Sequence, residues 1–383
     1  MKIPLAWHQL THEKMRLLVA IAGIAFADIL IFMQLGFKNA LFDSAVRLPR
    51  SFKGDIFLVS RQTDTLIAPK TFSARRLYEV MGIEGIKNIN AMYINVNVWK
   101  NPDNQSTRQI FIMGFNPVHN VLDLPGIEEN LDTMKQPDVA LFDQKSRKEF
   151  GNIKQNVLAG KSVTTEVANR KIQIGGLYTL GSSFGSDGSI VVSDLNFFRL
   201  FKNTQRGLIN VGVIQLEPGA DREAIYQEIK NQLDQGDVKV FTKEGLVAEE
   251  RGYWETRTTI GFVFGLGTVM GFIVGTVIVY QILYTDVSDH LPEYATLKAM
   301  GYTDFYLLTV VFQEAVLLAV VGFFPSLGLA LFLYGNTAAA TGLPIMMTTL
   351  RAVQVLGLTV AMCCLSGAIA VNKLRAADPA DIF

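Results

Sequence analysis

Four long apolar stretches, almost free of charge, limit the fold of this 383-residue chain more than any other feature. They run from Leu17 to Phe37, between Arg257 and Asp286, between Asp304 and Arg351, and from Ala352 to Asn372. About 20 apolar residues in a helix span the roughly 30 Å hydrocarbon core of a bilayer. A soluble protein seldom contains even one such stretch, so the sequence predicts an integral membrane protein with four transmembrane helices.

The third and first stretches each allow a second interpretation. The third is too long for one crossing, but Pro325 falls inside it and Thr341-Gly342-Leu343-Pro344 supplies a turn. We therefore predict one helix that ends at Tyr334 and a loop after it. In the first stretch, Ala25-Phe26-Ala27 imitates the cleavage site of a signal peptide, but the apolar run continues well beyond that site. This continuation favours a membrane helix over a cleaved signal peptide.

The residues between Arg50 and Thr256 have the composition of an ordinary globular domain. Short segments rich in Val, Ile and aromatic residues predict strands, and Asp221 after Pro218-Gly219 is a suitable N-cap for a helix. The predicted strands are Asp55–Ser60, Asn88–Val98, Arg108–Phe115, Asp138–Phe142, Ile172–Leu180, Leu208–Leu216 and Val238–Phe241, and the predicted helices are Ser73–Met81 and Asp221–Leu233. We expect a mixed α+β domain in the loop between the first and second membrane helices.

The predicted fold is therefore an integral membrane α-helical protein with four transmembrane helices and a large periplasmic α+β domain between helices 1 and 2. Its segments are a cytoplasmic interfacial helix (1–16), transmembrane helix 1 (17–41), the periplasmic domain (42–256), transmembrane helix 2 (257–284), a cytoplasmic coupling segment (285–304), transmembrane helix 3 (305–334), a periplasmic loop (335–350), transmembrane helix 4 (351–372) and a cytoplasmic tail (373–383).

Basic residues at both ends set the predicted orientation. Lys2, Lys14 and Arg16 precede the first helix, and Lys373 and Arg375 follow the fourth. Lys and Arg in short flanks favour the cytoplasmic side, so both termini are expected there. At the N-terminus itself, the apolar residues recur at helical spacing, which favours an interfacial helix over a disordered leader.

Composition and motifs argue against enzyme activity and against a metal or cofactor site in this chain. It has 35 basic and 35 acidic residues, so no net field indicates nucleic acid. Gly160-Lys161-Ser162 resembles the end of a phosphate-binding loop but lacks the required earlier glycine, and Gly181-Ser182-Ser183-Phe184-Gly185 fits G-x-S-x-G but precedes the strand-like Ile190-Val191-Val192. The adjacent Cys363 and Cys364 cannot form a metal site alone. We therefore expect no enzyme activity, no catalytic residue, no metal and no cofactor.

Polar and small residues inside the spans are the candidates for function there. Asp28 and Glu314 are intramembrane acids, which are costly in lipid, and without an obvious basic partner in the spans they favour polar contacts between helices. The second stretch has glycines at G-x-x-x-G spacings, which permit close helix packing and suggest a homodimer with this helix near its axis. These glycines are Gly261, Gly265, Gly267, Gly271 and Gly275.

The segment Pro292-Glu293-Tyr294-Ala295-Thr296-Leu297-Lys298-Ala299-Met300-Gly301 resembles the E-I-G-x-L-(R/K)-A-(I/M)-G segment after the second helix of FtsX/MacB-type permeases. Pro292 stands where Arg is usual, and Tyr294 and Ala295 replace Ile and Gly. The ending Ala377-Asp378-Pro379-Ala380 is similar to the D-P-x-x-A/I close of the same family. The order of one helix, a large outer domain and three helices covers the whole chain.

Three N-terminal motifs narrow the resemblance to the DevC subfamily of cyanobacterial exporters. They are Leu5-Ala6-Trp7-His8-Gln9-Leu10, Gly23-Ile24-Ala25-Phe26-Ala27 and Met33-Gln34-Leu35-Gly36-Phe37. The resemblance implies a homodimeric ABC transporter permease among the lipids of the bacterial inner membrane. It implies a DevA-type ATPase dimer that holds ATP and Mg, a DevB-type membrane fusion adaptor and a TolC-type outer-membrane channel. Such a tripartite efflux system exports a lipid-like cargo such as a glycolipid.

In such a permease, ATP-driven motion has to enter through a cytoplasmic surface, and segment 285–304 is the sizeable loop on that side. Its apolar, aromatic and cationic residues recur at three- and four-residue intervals, which predicts a short helix that docks into a groove of the ATPase. Proline is tolerated in the first turn of such a helix, and glycine can end it. The predicted coupling residues are Leu291, Glu293, Tyr294, Leu297, Lys298 and Gly301.

Three alternatives share parts of this architecture. A lipoprotein-releasing permease takes lipid-anchored cargo from the membrane, and an FtsX-like regulator acts on cell-wall hydrolases without export. A membrane receptor would sense a ligand with its outer domain, but it should carry a docking or catalytic domain inside. Proteins that co-purify with the chain distinguish these classes.

Overall fold

The computed structural model of the chain describes residues 14–233 and 236–376, without the side chains at 294, 295, 298, 299, 304, 307 and 372–376. Most of the predicted interfacial helix (1–16) and the motif at 377–380 lie outside the described residues. The chain forms two compact units. Of the described residues, the helical unit contains 14–40, 259–341 and 345–376, and the α+β unit contains 41–233, 236–258 and 342–344.

The helices are α1 (Lys14–Ala45), α2 (Arg47–Ser51), α3 (Arg75–Glu79), α4 (Leu131–Met134), α5 (Ile153–Leu158), α6 (Asp194–Leu200), α7 (Arg222–Leu233), α8 (Lys243–Gly252), α9 (Thr259–Asp289), α10 (Leu291–Ala299), α11 (Asp304–Thr341) and α12 (Thr349–Ala376). The strands are β1 (Ile56–Ser60), β2 (Phe72–Ser73), β3 (Ile86–Lys100), β4 (Thr107–Phe115), β5 (Val139–Asp143), β6 (Val163–Val167), β7 (Arg170–Tyr178), β8 (Ser189–Ser193), β9 (Leu208–Ile209), β10 (Val211–Leu216) and β11 (Val238–Thr242). Short 3₁₀ turns at Glu128–Asn130 and Lys148–Phe150 and a π-helix at Tyr253–Arg257 complete the described elements.

Helices α1, α9, α11 and α12 are long and apolar enough to cross a membrane, which confirms the four predicted transmembrane helices. The third of them, α11, continues to Thr341 instead of ending at Tyr334, because Ala338-Ala339-Ala340 are strong helix formers. Its loop to α12 is therefore 342–348, shorter than the predicted 335–350. Helix α9 also continues past the predicted end at 284, to Asp289.

The core of the helical unit consists of small and aliphatic side chains from all four long helices. It contains Ala20, Ile24 and Ala27 of α1, Val279 and Leu283 of α9, Ala315, Leu318 and Ala319 of α11, and Met362, Cys363 and Ala370 of α12. Helices associate in lipid mainly through close packing, since lipid tails are as apolar as the side chains. Small core residues are therefore what holds this bundle together.

The α+β unit is built on one mixed sheet with the strand order β11-β1-β10-β3-β4-β8-β5-β7-β6. The pairs β4–β8 and β5–β7 are parallel, and the other pairs of this sheet are antiparallel. The end of the long strand β3 also pairs with β6 through Trp99 and Lys100, so six strands close into a ring. The α+β class is confirmed. Strand β6 was not predicted, because Val163-Thr164-Thr165-Glu166-Val167 is short and half polar.

Candidate functional site

Asp28 lies in α1 with a fully buried side chain. Ser326 Oγ of α11 lies 3.1 Å from Asp28 Oδ2, and Thr359 Oγ1 of α12 lies 2.7 Å from Asp28 Oδ1. Each hydroxyl also has an acceptor in its own helix, Phe323 O at 2.6 Å and Val355 O at 2.8 Å. Asp28 thus links three membrane helices through hydroxyl groups, and no ion pair of Asp28 is seen within residues 14–233 and 236–376.

Glu314 of α11 is also fully buried, and its carboxyl group contacts that of Asp286 near the end of α9. Apart from the Asp286 carboxyl group, no donor from the described residues reaches either carboxyl oxygen of Glu314. Arg16 of α1 places Nη1 3.5 Å from Asp286 Oδ1 and Nη2 2.5 Å from Asp289 Oδ2. Adjoining carboxyl groups are stable when they share a proton or when a cation compensates them, and Arg16 supplies the cation.

The sequence predicted Glu314 as a candidate but missed the groups around it. Arg16 lies before the first apolar stretch, and Asp286 lies at the end of the second. No local pattern connects positions so far apart in the chain. A basic residue just outside one span and an acid just outside another were the available signal, and only the folded bundle brings them together.

The glycines of α9 fall into two groups. A Cβ atom added at Gly267, Gly271 or Gly275 would lie at most 3.0 Å from a side-chain atom of α1. These three glycines therefore allow α9 to approach α1 within one chain. An added Cβ at Gly265 would meet nothing within 4 Å, and Gly261 is half-buried at the start of α9.

A short helix follows α9, as the sequence of segment 285–304 predicted. Gly301, with φ +95°, comes directly after its last turn, and the Tyr302 N–H donates to Leu297 O at 3.1 Å. This bond from the residue after a left-handed glycine is the Schellman motif that ends helices. The predicted role of Gly301 as the end of this helix is therefore confirmed.

The side chains of α10 are arranged differently from the predicted docking face. Leu291 and Leu297 are half-buried and pack against Val287 of α9, Val311 of α11 and Val371 of α12. They were predicted as anchors for a partner, but here they fix α10 to the bundle of its own chain. Helical spacing identified the apolar face correctly but could not identify what covers it.

The opposite face of α10 is exposed. Glu293, Thr296 and Met300 are exposed, Met300 by 64%, and they recur at positions i, i+3 and i+7. The side chains of Tyr294 and Lys298, the remaining predicted coupling residues, lie outside the described part of the chain. Glu293 and Thr296 of α10, with Met300 directly after it, are thus described side chains that a partner can reach.

In the α+β unit, Glu250 near the end of α8 binds the segment that leads to α9. Its buried carboxyl group accepts hydrogen bonds from Thr65 Oγ1 at 2.6 Å, from the Leu66 N–H at 2.8 Å and from Trp254 Nε1 at 3.0 Å. Burial raises the pKa of Glu250, and these hydrogen bonds offset the rise in part. Trp254 belongs to the π-helix, a type of turn often found at functional positions.

The segment Gly181–Gly185 is a loop, and the predicted strand after it, β8, is present. Ser182 Oγ donates to Gly342 O at 3.4 Å, and Arg47 Nη1 donates to Ser182 O at 3.2 Å. The Phe184 N–H donates to Ser44 Oγ at 3.2 Å. The loop therefore binds the residues at the end of α1 and the loop residue Gly342, which is a structural role.

These features define an integral membrane protein in which an α+β domain is inserted between the first and second helices of a four-helix bundle. Residues 260–379 match the family model described as "FtsX-like permease C-terminal". The matched range spans helices α9, α10, α11 and α12 with their connections.

Three solved structures are similar to this chain. The periplasmic region of MacB from Actinobacillus actinomycetemcomitans has 10% identity and a TM-score of 0.35, and covers 51% of this chain and 91% of that chain. The extracellular domain of the noncanonic ABC-type transporter YknZ from Gram-positive bacteria has 12% identity and a TM-score of 0.34, and the match covers 49% of this chain and 98% of that chain. A domain of a permease protein from Porphyromonas gingivalis has 14% identity and a TM-score of 0.30, and the match covers 51% of this chain and 90% of that chain. No curated protein matches the sequence.

Proposed function

We propose that the chain is the permease subunit of an ATP-driven exporter, which transmits motion from a separate cytoplasmic ATPase to its own α+β domain. The observation that carries this proposal is the match of residues 260–379 to the FtsX-like permease C-terminal family. The sequence contains no intact phosphate-binding loop, since the glycine before Gly160-Lys161-Ser162 is missing. We therefore assign nucleotide hydrolysis to a separate ATPase subunit.

Helix α10 is the proposed contact with that ATPase. It lies between the second and third membrane helices, and its exposed face carries Glu293, Thr296 and Met300. Its buried face packs through Leu291 and Leu297 against α9, α11 and α12. A push on the exposed face would therefore move the ends of three membrane helices together.

The finer parts of the proposal follow the resemblance to DevC-type permeases. Both termini and α10 would be cytoplasmic, and the α+β unit periplasmic, in the inner membrane of a bacterium. The permease would work as a homodimer with a DevA-type ATPase dimer, a DevB-type adaptor and a TolC-type channel. Its cargo would be lipid-like, such as a glycolipid, and would move without crossing through the four helices.

Purification of the tagged full-length chain from native membranes tests this proposal. We expect an ATPase and a membrane-anchored adaptor to be recovered with it. The double variant Glu293→Lys with Met300→Glu should lower ATPase recovery about tenfold, a loss of about 1.4 kcal/mol, because two of the three exposed side chains on this face are altered. Glu228→Lys, an equal charge reversal at an exposed position of α7, is the matched control and should have no effect.

Other outcomes of this purification decide between the classes. Recovery of an ATPase with a cell-wall hydrolase would indicate an FtsX-like division regulator, and recovery with a lipoprotein carrier would indicate lipoprotein release. A correctly inserted chain that recovers no ATPase contradicts the proposed function. Equal recovery with the α10 double variant contradicts the assignment of the contact surface alone.

A further inference from the structure

A polar cleft of about 640 Å³ opens in the α+β unit. Its lining comes from Asn95 and Asn97 of β3, from Asn169 in the turn between β6 and β7, from Arg170 at the start of β7, and from residues 199–204 at the end of α6 and in the loop after it. Small-molecule sites typically have volumes of about 300–1,000 Å³. The cleft is therefore large enough for a ligand of several rings, and a single inorganic ion would fill little of it.

The cleft lies where β3 lacks a neighbouring strand. On one side, β3 pairs with β10 up to Met92 and with β6 from Trp99 onward, and in the described chain no strand borders it between these residues. Asn95 and Asn97 lie on the same face of β3 as Tyr93 and Trp99, which are buried in the core. Two amides thus replace apolar residues on an otherwise buried face, and core packing gives no reason for them.

The open edge of β3 is poorly suited to an added peptide strand. Asn210 Oδ1 accepts the Ile94 N–H at 2.8 Å, and Asn97 Oδ1 accepts the Val98 N–H at 2.8 Å. The Ala168 N–H donates to Val98 O at 3.1 Å. Strand addition requires free backbone groups of this kind along the edge. The cleft therefore favours a compact ligand over an extended peptide.

The cleft carries excess positive charge. Arg170 binds Asp138 through two hydrogen bonds of 2.7 and 2.8 Å, and Arg199 Nη1 lies 3.7 Å from the same carboxylate. The Arg170 guanidinium holds the pKa of Asp138 below its ordinary value, so this carboxylate stays charged. Lys202 is exposed and has no ion pair within the described residues. The lining therefore carries three cations, and Asp138 pairs with two of them, Arg170 and Arg199.

The free polar groups of the cleft are mainly hydrogen-bond donors. Asn95 makes no side-chain hydrogen bond to the residues described, and Asn97 uses its Oδ1, which leaves its amide N–H groups available. Lys202 and the remaining N–H groups of Arg199 add further donors. A ligand with many oxygen acceptors and a negative charge complements this set. We propose that the cleft binds an acidic saccharide, with its carboxylate or phosphate directed to Lys202 and Arg199 and its hydroxyl groups to Asn95 and Asn97.

Calorimetric titration of the full-length chain in detergent tests this site with tetragalacturonate and the neutral maltotetraose as probes. We expect the acidic saccharide to bind about tenfold more tightly, and less tightly as salt is raised. Asn95→Ala with Lys202→Gln should weaken its binding about tenfold. Lys154→Gln, which removes the same charge from an exposed position of α5 outside the cleft, is the matched control and should bind like the parent.

Lys202→Gln alone changes an exposed side chain, so its weaker binding tests the site even if the double variant fails to fold. A sugar phosphate and inorganic phosphate distinguish the source of the negative charge. Failure of both tetragalacturonate and a hexose phosphate to bind overturns the proposal. The proposal is also overturned if maltotetraose binds with equal affinity or if Lys154→Gln weakens binding equally. It is likewise overturned if inorganic phosphate competes as well as the saccharides do, or if hexaglutamate binds more tightly. No ATPase takes part, so this result is independent of the proposed export function.

Discussion

At the scale of the residue, Asp28 is a buried acid, and each of its two hydroxyl partners has another hydrogen-bond acceptor within reach. The hydroxyl groups of Ser326 and Thr359 can instead donate hydrogen bonds to backbone carbonyl oxygens of their own helices, at 2.6 and 2.8 Å. Hydrogen bonds between membrane helices contribute about 0.6 kcal/mol each on average. The link through Asp28 is therefore expected to fix helix positions rather than to dominate the stability of the bundle.

A double-mutant cycle of Asp28→Ala with Thr359→Val measures this link. We expect a coupling of about 0.6 kcal/mol in the unfolding of the purified protein, because only one hydrogen bond joins the two side chains. Asp28→Ala with Thr276→Val is the control and should be additive, since Thr276 Oγ1 bonds Phe272 O within its own helix. Additivity of both pairs would show that Asp28 and Thr359 do not interact.

Glu250 gives a prediction of pH dependence. Burial raises its pKa above the ordinary 4.5, so the folded unit holds a proton that the unfolded chain releases. The stability that depends on this group therefore falls as the pH rises from about 4.5 through the raised pKa, the opposite of a salt-bridged acid. Because Trp254 Nε1 donates to this carboxyl group, tryptophan fluorescence should report the titration.

We expect the emission of the parent protein to change with pH above about 4.5, and Glu250→Gln to lose that change. Glu228→Gln, at an exposed site, should keep it. An unaltered titration in Glu250→Gln would mean that another group is responsible.

At the scale of the element, the spacing between α9 and α1 depends on glycine. A Cβ atom added at Gly275 would lie 2.8 Å from Ala27 Cβ and would also contact Met362 Sδ of α12. Carbon atoms pack at about 3.5–4.0 Å, so Gly275→Ala forces the helices apart. Overpacking of this kind costs about 1–3 kcal/mol. We expect a lower melting temperature in detergent for Gly275→Ala.

Gly265→Ala is the matched control, because its added Cβ meets nothing within 4 Å. Alanine favours a helix over glycine by about 1 kcal/mol, so this variant should melt at the same temperature or higher. If both variants melt alike, α9 does not approach α1 through Gly275.

The elements differ in how well the sequence predicted them. Long apolar stretches predicted the membrane helices because bilayer thickness requires that length. The spacing of Leu291 and Leu297 predicted α10, but an apolar face is the same whether a bundle or a partner covers it. The cluster around Glu314 was predicted only in part, because its contact with Asp286 and the cation at Arg16 depends on the folded bundle.

At the scale of the whole molecule, orientation decides which surfaces meet which partners. Lys14 and Arg16 lie at the start of α1, and positive residues in short flanks favour the cytoplasmic side. With four crossings, we therefore expect α10 in the cytoplasm and the α+β unit outside. If the orientation were reversed, Glu293 and Met300 could not contact a cytoplasmic ATPase, and the proposed coupling would be impossible.

Labelling of single cysteines tests this orientation in cells. In a background with Cys363 and Cys364 replaced by Ala, Lys154→Cys and Glu293→Cys each place one thiol at an exposed position, the first in α5 and the second in α10. A maleimide that cannot cross the inner membrane should label Lys154→Cys once the outer membrane is permeable, and Glu293→Cys only after the inner membrane is disrupted. Detergent-solubilised samples, in which both thiols should react, control for accessibility. Labelling in the reverse order would exclude α10 as the ATPase contact, because the helix would then lie on the side of the membrane that has no nucleotide.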